Sequence, residues 1–357
     1  MAERKEIVCK MVSQGMRTQK ALEIASIPRS TYYFQSKGTR KGKRPSDCTM
    51  YRGNLVSNDK VISSIENILG DEFIEYGYIC TTHELKNLGY QINKKKVYRL
   101  MKEHSLLLPK KPAKGRNKVY VKYTSPVCAA PFETIEADIK YVYIHGARRN
   151  AYLITLLDVF TRMTLVWTFQ WDMKTQRIIE LIEELFDKWL IPCGIDPLKI
   201  QVKIRTDNGS QFIAKRFRER LLDANISNEY IRPGTPEQNG HIEAFHKTVS
   251  ELVCSKFELD TIEQARQVLS RFFYTYNNKR IMKAILYKTP FRFFELWKQG
   301  YVGSVVKEKK VNYFFREKPP AWPTDSSSES YFPVLQKYET NNCMFNTSTN
   351  LVQFYGG

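Results

Sequence analysis

Residues 133–144 read ETIEADIKYVYI, a stretch dominated by β-branched and aromatic residues. This composition is typical of a β-strand. Asp138 lies in its middle, and a carboxylate among apolar strand residues is costly to bury unless a partner such as a cation compensates. The stretch therefore predicts a strand that carries a functional acid.

The sequence after this strand alternates between two kinds of pattern. Strands are predicted at 150–157, 163–170, 200–206 and 226–231, and helices at 175–190, 211–223, 237–258 and within 261–298. Three consecutive strands followed by alternating helices and strands predict an α/β domain with a mixed sheet. The tail, residues 299–357, is aromatic but interrupted by PPAWPTDSSSES, and it is compatible with a small β module or with a partly disordered extension.

Two further acids occupy positions suited to the same site. Asp207 ends the strand KIRT and precedes Asn208-Gly209, where a sharp turn would expose it at the sheet edge, the place where ligands gather in open α/β sheets. Glu243 lies at the border of the apolar stripe of the helix at 237–258, so it could reach over that edge. Each acid alone could be an ordinary surface or salt-bridged residue, but their shared context favours convergence.

Converging carboxylates indicate a particular chemistry. Hard cations such as Mg²⁺ or Mn²⁺ prefer oxygen ligands. Two such ions about 4 Å apart can activate an attacking oxygen and stabilise the leaving one during phosphoryl displacement. Asp138, Asp207 and Glu243 are therefore the candidate catalytic and metal-ligating residues.

The net charge of +19 is concentrated near the N-terminus. Residues 1–50 and 91–125 together hold seventeen of the nineteen excess positive charges. A general solubility function would spread the charge more evenly, so two nucleic-acid-binding segments are predicted.

Helical patterns accompany both basic segments. Residues 1–36 contain two helices, a turn at Ser26-Ile27-Pro28 and a third helix opened by Arg29 and Ser30, which are candidates for DNA contact. This order is that of a helix-turn-helix DNA reader, although a bundle used only for packing has the same pattern. Residues 37–58 are predicted to be a basic linker.

A second helical DNA-binding unit is predicted at 59–108, followed by a basic linker at 109–128. Asn93 can cap a helix that turns Val97, Leu100 and Met101 inward. The basic candidates for DNA contact in these two segments are Lys94, Lys95, Lys96, Arg99, Lys102, Lys110, Lys111, Lys114 and Arg116.

Several classes of protein are disfavoured. The seven cysteines and five histidines show no zinc-ligand spacing and no disulfide framework, which favours a reducing compartment. No stretch approaches 18 uncharged apolar residues, and no signal peptide is evident at the start. We expect a cytoplasmic, nucleoid-associated protein without membrane contact.

The motifs around the three acids carry a family resemblance. Thirty-five residues separate Asp207 from Glu243. The surrounding words are LDVFTR (157–162), RTDNGSQF (205–212), RPGTPEQNGHIEAFHKT (232–248) and YNNKR…YKTP (276–290), with IPRSTYYF (27–34) and YGYICTTHELKNLGYQINKKKVYRLMKEHSLL (76–107) upstream. Together they resemble the catalytic second-frame proteins of bacterial insertion sequences with two frameshift-linked reading frames, which share the catalytic pattern of retroviral integrases.

The resemblance implies a ribonuclease-H-like catalytic core at 129–260, completed by helices at 261–298. It also implies Mg²⁺ dependence, with two ions per site and Mn²⁺ able to substitute. The implied partners are double-stranded DNA of the element ends and target, further copies of the chain in a dimeric or larger synaptic complex, and a separate first-frame protein. Expected DNA contacts within the core are Asn208, Gln238, Asn239, His246 and Lys247, with Gln238 and Asn239 on a mobile loop.

Some residues depart from the family or compete with the assigned roles. Lys140 and Met282 stand where the family often has Thr and His, but neither change removes a metal ligand. Glu136 shares the strand face of Asp138, and His241 and His246 could serve as general bases. We expect no ligand role for Glu136. Because metals already activate the nucleophile in this chemistry, we expect a phosphate contact rather than a general-base role for His246.

Two rival functions belong to other classes. A DNA-binding regulator with an inactive catalytic domain would not need three intact carboxylates. A nuclease that hydrolyses without joining would not need two N-terminal DNA-binding units. The sequence therefore favours a transposase that binds the terminal repeats of its element and catalyses metal-dependent strand cleavage and transfer.

Overall fold

The computed structural model describes residues 2–34, 45–109, 126–232, 236–307 and 310–318. The chain separates into two compact units, residues 1–47 and 48–357. Lys110, Lys111, Lys114 and Arg116, with the rest of the linker at 110–125, lie outside the described residues, as do 35–44 and 319–357.

The first unit contains three helices, α1 (Ala2–Ser13), α2 (Thr18–Ile24) and α3 (Arg29–Tyr32). Its small core buries Val8, Ala21, Leu22 and Ile27. Helix α3 is only four residues long, and Arg29 and Ser30 are exposed at its start.

The second unit begins with a small sheet and three helices. Its elements are β1 (Cys48–Tyr51), β2 (Asn54–Ser57), α4 (Asn58–Gly70), α5 (Tyr78–Asn87), β3 (Tyr90–Gln91) and α6 (Lys94–Glu103). The strand order is β2-β1-β3. Asn93 caps α6 by accepting the Lys96 N–H at 3.0 Å, and Val97, Leu100 and Met101 are buried as expected.

Residues 48–57 differ from the linker predicted at 37–58. They form an antiparallel hairpin whose turn places Gly53 at φ 87°, a conformation that glycine adopts without steric cost. Thr49, Tyr51 and Val56 favour strands, but a four-residue strand is too short to show a clear alternation in the sequence.

Residues 134–230 contain a five-stranded sheet in the order β6-β5-β4-β7-β8. The strands are β4 (Thr134–Ile144), β5 (Arg149–Asp158), β6 (Thr164–Gln170), β7 (Lys203–Thr206) and β8 (Ser227–Tyr230). Strands β4, β5 and β6 are antiparallel neighbours, whereas β7 pairs parallel to both β4 and β8. The mixed α/β class predicted from the sequence is confirmed.

Helices cover both faces of this sheet. They are α7 (Thr175–Leu185), α8 (Ser210–Ile213), α9 (Lys215–Asp223), α10 (Gly240–Val249), α11 (Ile262–Asn278) and α12 (Pro290–Lys298). Helices α7 and α10 continue as π-helical turns, Phe186–Leu190 and Ser250–Cys254. Residues 211–223, predicted as one helix, form two helices because Ala214 is extended between them.

Alternation along β4 determines which side chain faces which layer. Ile135 and Ala137 belong to the core beneath α7 and α9, while Val142 and Ile144 belong to the core beneath α10 and α11. Even-numbered positions of β4 therefore face α10. Asp138 is on that face.

The small sheet and three helices at the start of the second unit, residues 48–103, contact α11 and the residues that follow it. The buried Tyr76 hydroxyl accepts the Ile281 N–H at 2.7 Å, and the His83 and Tyr287 rings stack with centroids 3.5 Å apart. An ion pair joins Arg271 to Glu72. Downstream, β9 (Val302–Lys307) and β10 (Lys310–Phe315) form a hairpin, so the described part of the tail contains β structure.

Candidate active site

Asp138 lies near the middle of β4, on the face covered by α10. Its side chain is 23% exposed. The Ile139 backbone N–H donates to Oδ1 at 2.8 Å, and Nδ1 of His246 lies 3.2 Å from Oδ2. The carboxylate is thus half-buried in an apolar strand and held by two nitrogen groups.

Asp207 follows β7 and stands beside Asp138. The parallel pairing of β4 and β7 ends with Glu136 and Arg205, which lie two residues before Asp138 and Asp207 respectively. Burial raises the pKa of Asp207, and the negative charge of Asp138 raises it further, whereas the Gly209 N–H lowers it. The two carboxylates are therefore close enough to repel one another.

Gly209 allows the chain to wrap closely around Asp207. Its N–H donates to Asp207 Oδ1 at 2.9 Å. A Cβ at position 209 would lie 2.9 Å from that same oxygen, closer than side-chain carbons approach in practice. The absence of a Cβ at position 209 thus leaves room for the Asp207 carboxylate to lie against the turn.

Glu243 lies in the first turn of α10 and is half-buried. It is one helical turn before His246, so the two side chains are neighbours on one face of the helix, and His246 contacts Asp138. Among the described residues, no three His, Cys, Asp or Glu side chains are gathered tightly enough to hold one metal ion. The structure therefore brings Asp138 and Asp207 together and brings α10 to them, without closing a three-carboxylate cluster.

The donor set fits a divalent cation. Carboxylate oxygens are the ligands that Mg²⁺ and Mn²⁺ prefer. The repulsion that raises the pKa of Asp207 is one that a bound cation would remove. Nε2 of His246 is buried, and the described residues supply no hydrogen-bond partner for it.

The segment before α10 is tied to the sheet by several polar contacts. Arg205 pairs with Glu229 at 2.8 Å and donates to the Gln238 carbonyl at 3.1 Å. The Asn239 amide donates to the Ala137 carbonyl at 3.3 Å, and the residue is 2% exposed. The Asn208 amide donates to the Ile231 carbonyl at 2.8 Å.

These contacts involve Gln238 and Asn239, which the sequence predicts to lie on a mobile loop. Residues 233–235 lie outside the described part, whereas Pro236–Asn239 forms a 3₁₀ turn. The DNA contacts of Asn208, Gln238 and Asn239 stay predictions. For Asn239, burial favours a role in holding the turn against β4.

The remaining candidates for DNA contact are distributed over the helices. Lys94, Lys95 and Lys102 are exposed on α6. Lys96 instead donates to the Cys48 carbonyl at 2.7 Å, and Arg99 pairs with Glu103 at 3.4 Å. In the catalytic region, Lys247 is exposed, but His246 is buried against Asp138, so a phosphate contact for His246 stays a prediction.

Sequence reasoning missed the part played by Glu136. It is fully buried, and both of its oxygens are bound at the start of α10, by His241 and by the Ile242 N–H. The sequence shows that an acid lies two residues before Asp138 on the same strand face. It does not show the partners of that acid, because they lie more than a hundred residues away.

Comparison with known proteins gives three family matches. Residues 129–236 and 224–290 match two models described as integrase core domain, and residues 57–114 match an HTH-like domain. Among the described residues, no helix combines the length and apolar character needed to cross a membrane.

Curated relatives cover much of the chain. A transposase for insertion sequence element IS904 from Lactococcus lactis subsp. lactis (strain IL1403) is 25% identical over 66% of this chain and 93% of its own length. The putative transposase InsK for IS150 from Escherichia coli (strain K12) is 24% identical over 76% of this chain and 91% of its own length.

Solved structures give weaker likenesses. The HTLV-2 integrase catalytic core in complex with magnesium aligns at 15% identity with a TM-score of 0.33, covering 46% of this chain and 97% of that one. The Mos1 transposase catalytic domain aligns at 14% identity with a TM-score of 0.35, covering 47% of this chain and 81% of that one. On these matches, the chain carries an integrase core domain and an HTH-like domain and is similar over most of its length to bacterial insertion-sequence transposases.

Proposed function

We propose that Asp138, Asp207 and Glu243 form the catalytic site of this transposase and hold the divalent metal ions of DNA strand cleavage and joining. The observation that supports the assignment is the parallel pairing of β4 and β7, which ends two residues before Asp138 on one strand and before Asp207 on the other, together with the packing of α10 over the same face of β4. Glu243 enters this region from the helix.

The metal would be Mg²⁺, with Mn²⁺ able to substitute and two ions per site. Bound there, it would lower the pKa of an attacking oxygen and stabilise charge on the leaving one. The three carboxylates would hold it, because they supply hard oxygen donors from two strands and a helix. Asp138 and Asp207 come from the neighbouring strands β4 and β7, and Glu243 would complete the set from α10 when a cation offsets the repulsion among the acids.

The protein's own groups would orient the DNA. The exposed lysines of α6 would contact phosphates of the element ends, and Lys247, one turn after Glu243, would contact the backbone beside the scissile bond. The same carboxylates would serve first with water as the nucleophile and then with a DNA 3′-hydroxyl. Synapsis of two ends would require at least a dimer, and a separate first-frame protein is a further expected partner.

The test of this site is Glu243→Gln in the full chain. The substitution keeps the size of the side chain and removes one negative charge, so end binding should survive. Cleavage and joining should each fall by about 10³-fold or more, because metal-assisted charge stabilisation supplies several kcal/mol. Gel retardation and strand transfer on labelled end DNA measure the two functions separately.

The matched control is Glu251→Gln, which removes the same charge from an exposed position on the π-helical continuation of α10. It should join DNA at close to the wild-type rate. Full joining by Glu243→Gln would eliminate the three-carboxylate mechanism. Cleavage without any joining by the wild-type protein would indicate a hydrolytic nuclease instead.

A further inference from the structure

Glu136 is a fully buried carboxylate on β4, two residues before Asp138 and on the same strand face. An ionised carboxylate is stable in such a position only when hydrogen bonds and opposite charges compensate for lost hydration. The groups that bind the Glu136 carboxylate therefore indicate which part of the structure it holds in place.

Both oxygens of Glu136 are bound at the start of α10. The Ile242 backbone N–H donates to Oε2 at 2.8 Å, and Nδ1 of His241 lies 2.8 Å from Oε1. The first turn of a helix carries N–H groups without intrahelical partners and a partial positive charge, so a carboxylate placed there satisfies an orphan donor and is itself stabilised. Here that carboxylate comes from the sheet and not from the helix's own capping residue.

The connection fixes one specific part of α10. Glu243 directly follows Ile242, whose side chain is fully buried. Just before α10, the Asn239 side-chain amide donates a hydrogen bond to the Ala137 carbonyl. The backbone immediately before Glu243 is therefore anchored to the two residues of β4 that immediately precede Asp138.

We propose that Glu136 and His241 are a positioning pair, which sets the backbone of Glu243 relative to Asp138 so that the two carboxylates can share a metal ion. This inference rests on the proposed function of those carboxylates. The pair itself holds no metal. It transmits the position of β4 to α10 through hydrogen bonds that a sliding or tilting helix would break.

The chain supplies a matched control in Glu133. This carboxylate is three residues before Glu136, and it accepts the Ala129 N–H at 2.7 Å. This hydrogen bond joins Glu133 to the loop before β4, away from α10. Glu133→Gln removes the same charge from the same strand region without touching the anchor of Glu243.

The experiment measures joining of a 3′-hydroxyl DNA end by the full chain over a series of Mg²⁺ concentrations, together with end affinity and melting temperature. For Glu136→Ala, the half-saturating Mg²⁺ concentration should rise about 10- to 100-fold, as is typical when a group that orients metal ligands is lost. End affinity should stay within about twofold. Glu136→Gln should recover part of the loss, since its amide oxygen can still accept the Ile242 N–H.

Mn²⁺ provides a readout that a merely structural role would not change. Mg²⁺ demands near-ideal octahedral geometry. A misplaced Glu243 should therefore impair joining in Mg²⁺ more than in Mn²⁺, whereas a fall in the folded fraction would lower both equally. If Glu136→Ala does not fold, the Gln variant carries the same comparison.

A double-mutant cycle tests whether the two residues act together. Glu136→Ala combined with His241→Gln should shift the Mg²⁺ requirement by much less than the product of the single effects, because either change alone removes the contact between these two side chains. Independent effects would overturn the pair. A Mg²⁺ dependence of both Glu136 variants equal to that of Glu133→Gln would overturn the positioning role.

Glu243→Gln in the same assay separates this inference from the proposed function. If Glu243→Gln is inactive while the Glu136 variants behave like the control, the catalytic site stands and the positioning pair fails. If Glu243→Gln joins DNA normally, the proposed catalytic site itself fails.

Discussion

Removing the hydroxyl of Tyr76 tests how firmly the helical DNA-binding part of the second unit is fastened to the catalytic core. Tyr76 lies between α4 and α5 and is 4% exposed. Its hydroxyl accepts the Ile281 N–H at 2.7 Å and donates to the Lys279 carbonyl at 3.4 Å. Burial raises the pKa of this phenol, so it is present as the neutral donor and acceptor.

The magnitude follows from what Tyr76→Phe leaves behind. The ring still fills its place beside Ile74 and Ile281, so the change leaves almost no cavity. The Ile281 N–H becomes a buried donor without its partner, which costs about 1–3 kcal/mol. In a unit of this size, that corresponds to a fall in melting temperature of about 2–6 °C.

Hydrogen exchange gives the most direct assay. The Ile281 amide should exchange roughly 5- to 150-fold faster in Tyr76→Phe, since its local opening becomes easier by the same free energy. Tyr274→Phe is the control, because Tyr274 is 57% exposed on α11, and its loss should change stability by less than about 0.5 kcal/mol. Exchange at Ile281 equal in the two variants would refute the claim that this hydrogen bond holds the junction.

Two further predictions concern charge. Because burial and Asp138 raise the pKa of Asp207, the ionised carboxylate costs stability that the neutral acid retains, so the stability of the metal-free protein falls as pH rises through that pKa. Asp207→Asn should therefore abolish joining yet melt at or above the wild-type temperature at pH 7 in chelator, with the difference shrinking at acidic pH; a lower melting point at pH 7 would contradict this. Replacing the exposed Lys94, Lys95 and Lys102 by Ala should weaken end binding and reduce the slope of log K against log[salt] by about 2.7 if each contacts a phosphate. An unchanged slope would mean that these side chains are merely solvated.

Local patterns were sufficient for the main elements of the catalytic region. The β-branched and aromatic residues of β4 and β5 and the apolar stripes of α7 and α10 are buried against neighbouring layers, so burial leaves a local signal in the sequence. The short hairpin at 48–57 was missed because each strand offers too few residues for a period to show. The break at Ala214 was missed because a single extended residue leaves the helical pattern on both sides intact.

The three candidate acids could also be singled out from their local context. Asp138 interrupts an apolar strand, Asp207 is followed by the turn-forming pair Asn208-Gly209, and Glu243 borders a helical stripe. Their type and spacing indicate metal-dependent phosphoryl chemistry, since hard cations need oxygen ligands. Their catalytic role stays a prediction for mutagenesis.

The sequence by itself determined the residue types of the three candidate acids and the elements that carry them, because both depend on residue type and on short-range patterns. Only the tertiary structure decided which polar groups hold those layers in position. Glu136 meets His241 across 105 residues of chain, and Asn239 meets Ala137 across 102. Such contacts depend on how β4 and α10 pack, and a buried polar group leaves no periodic signal that names its distant partner.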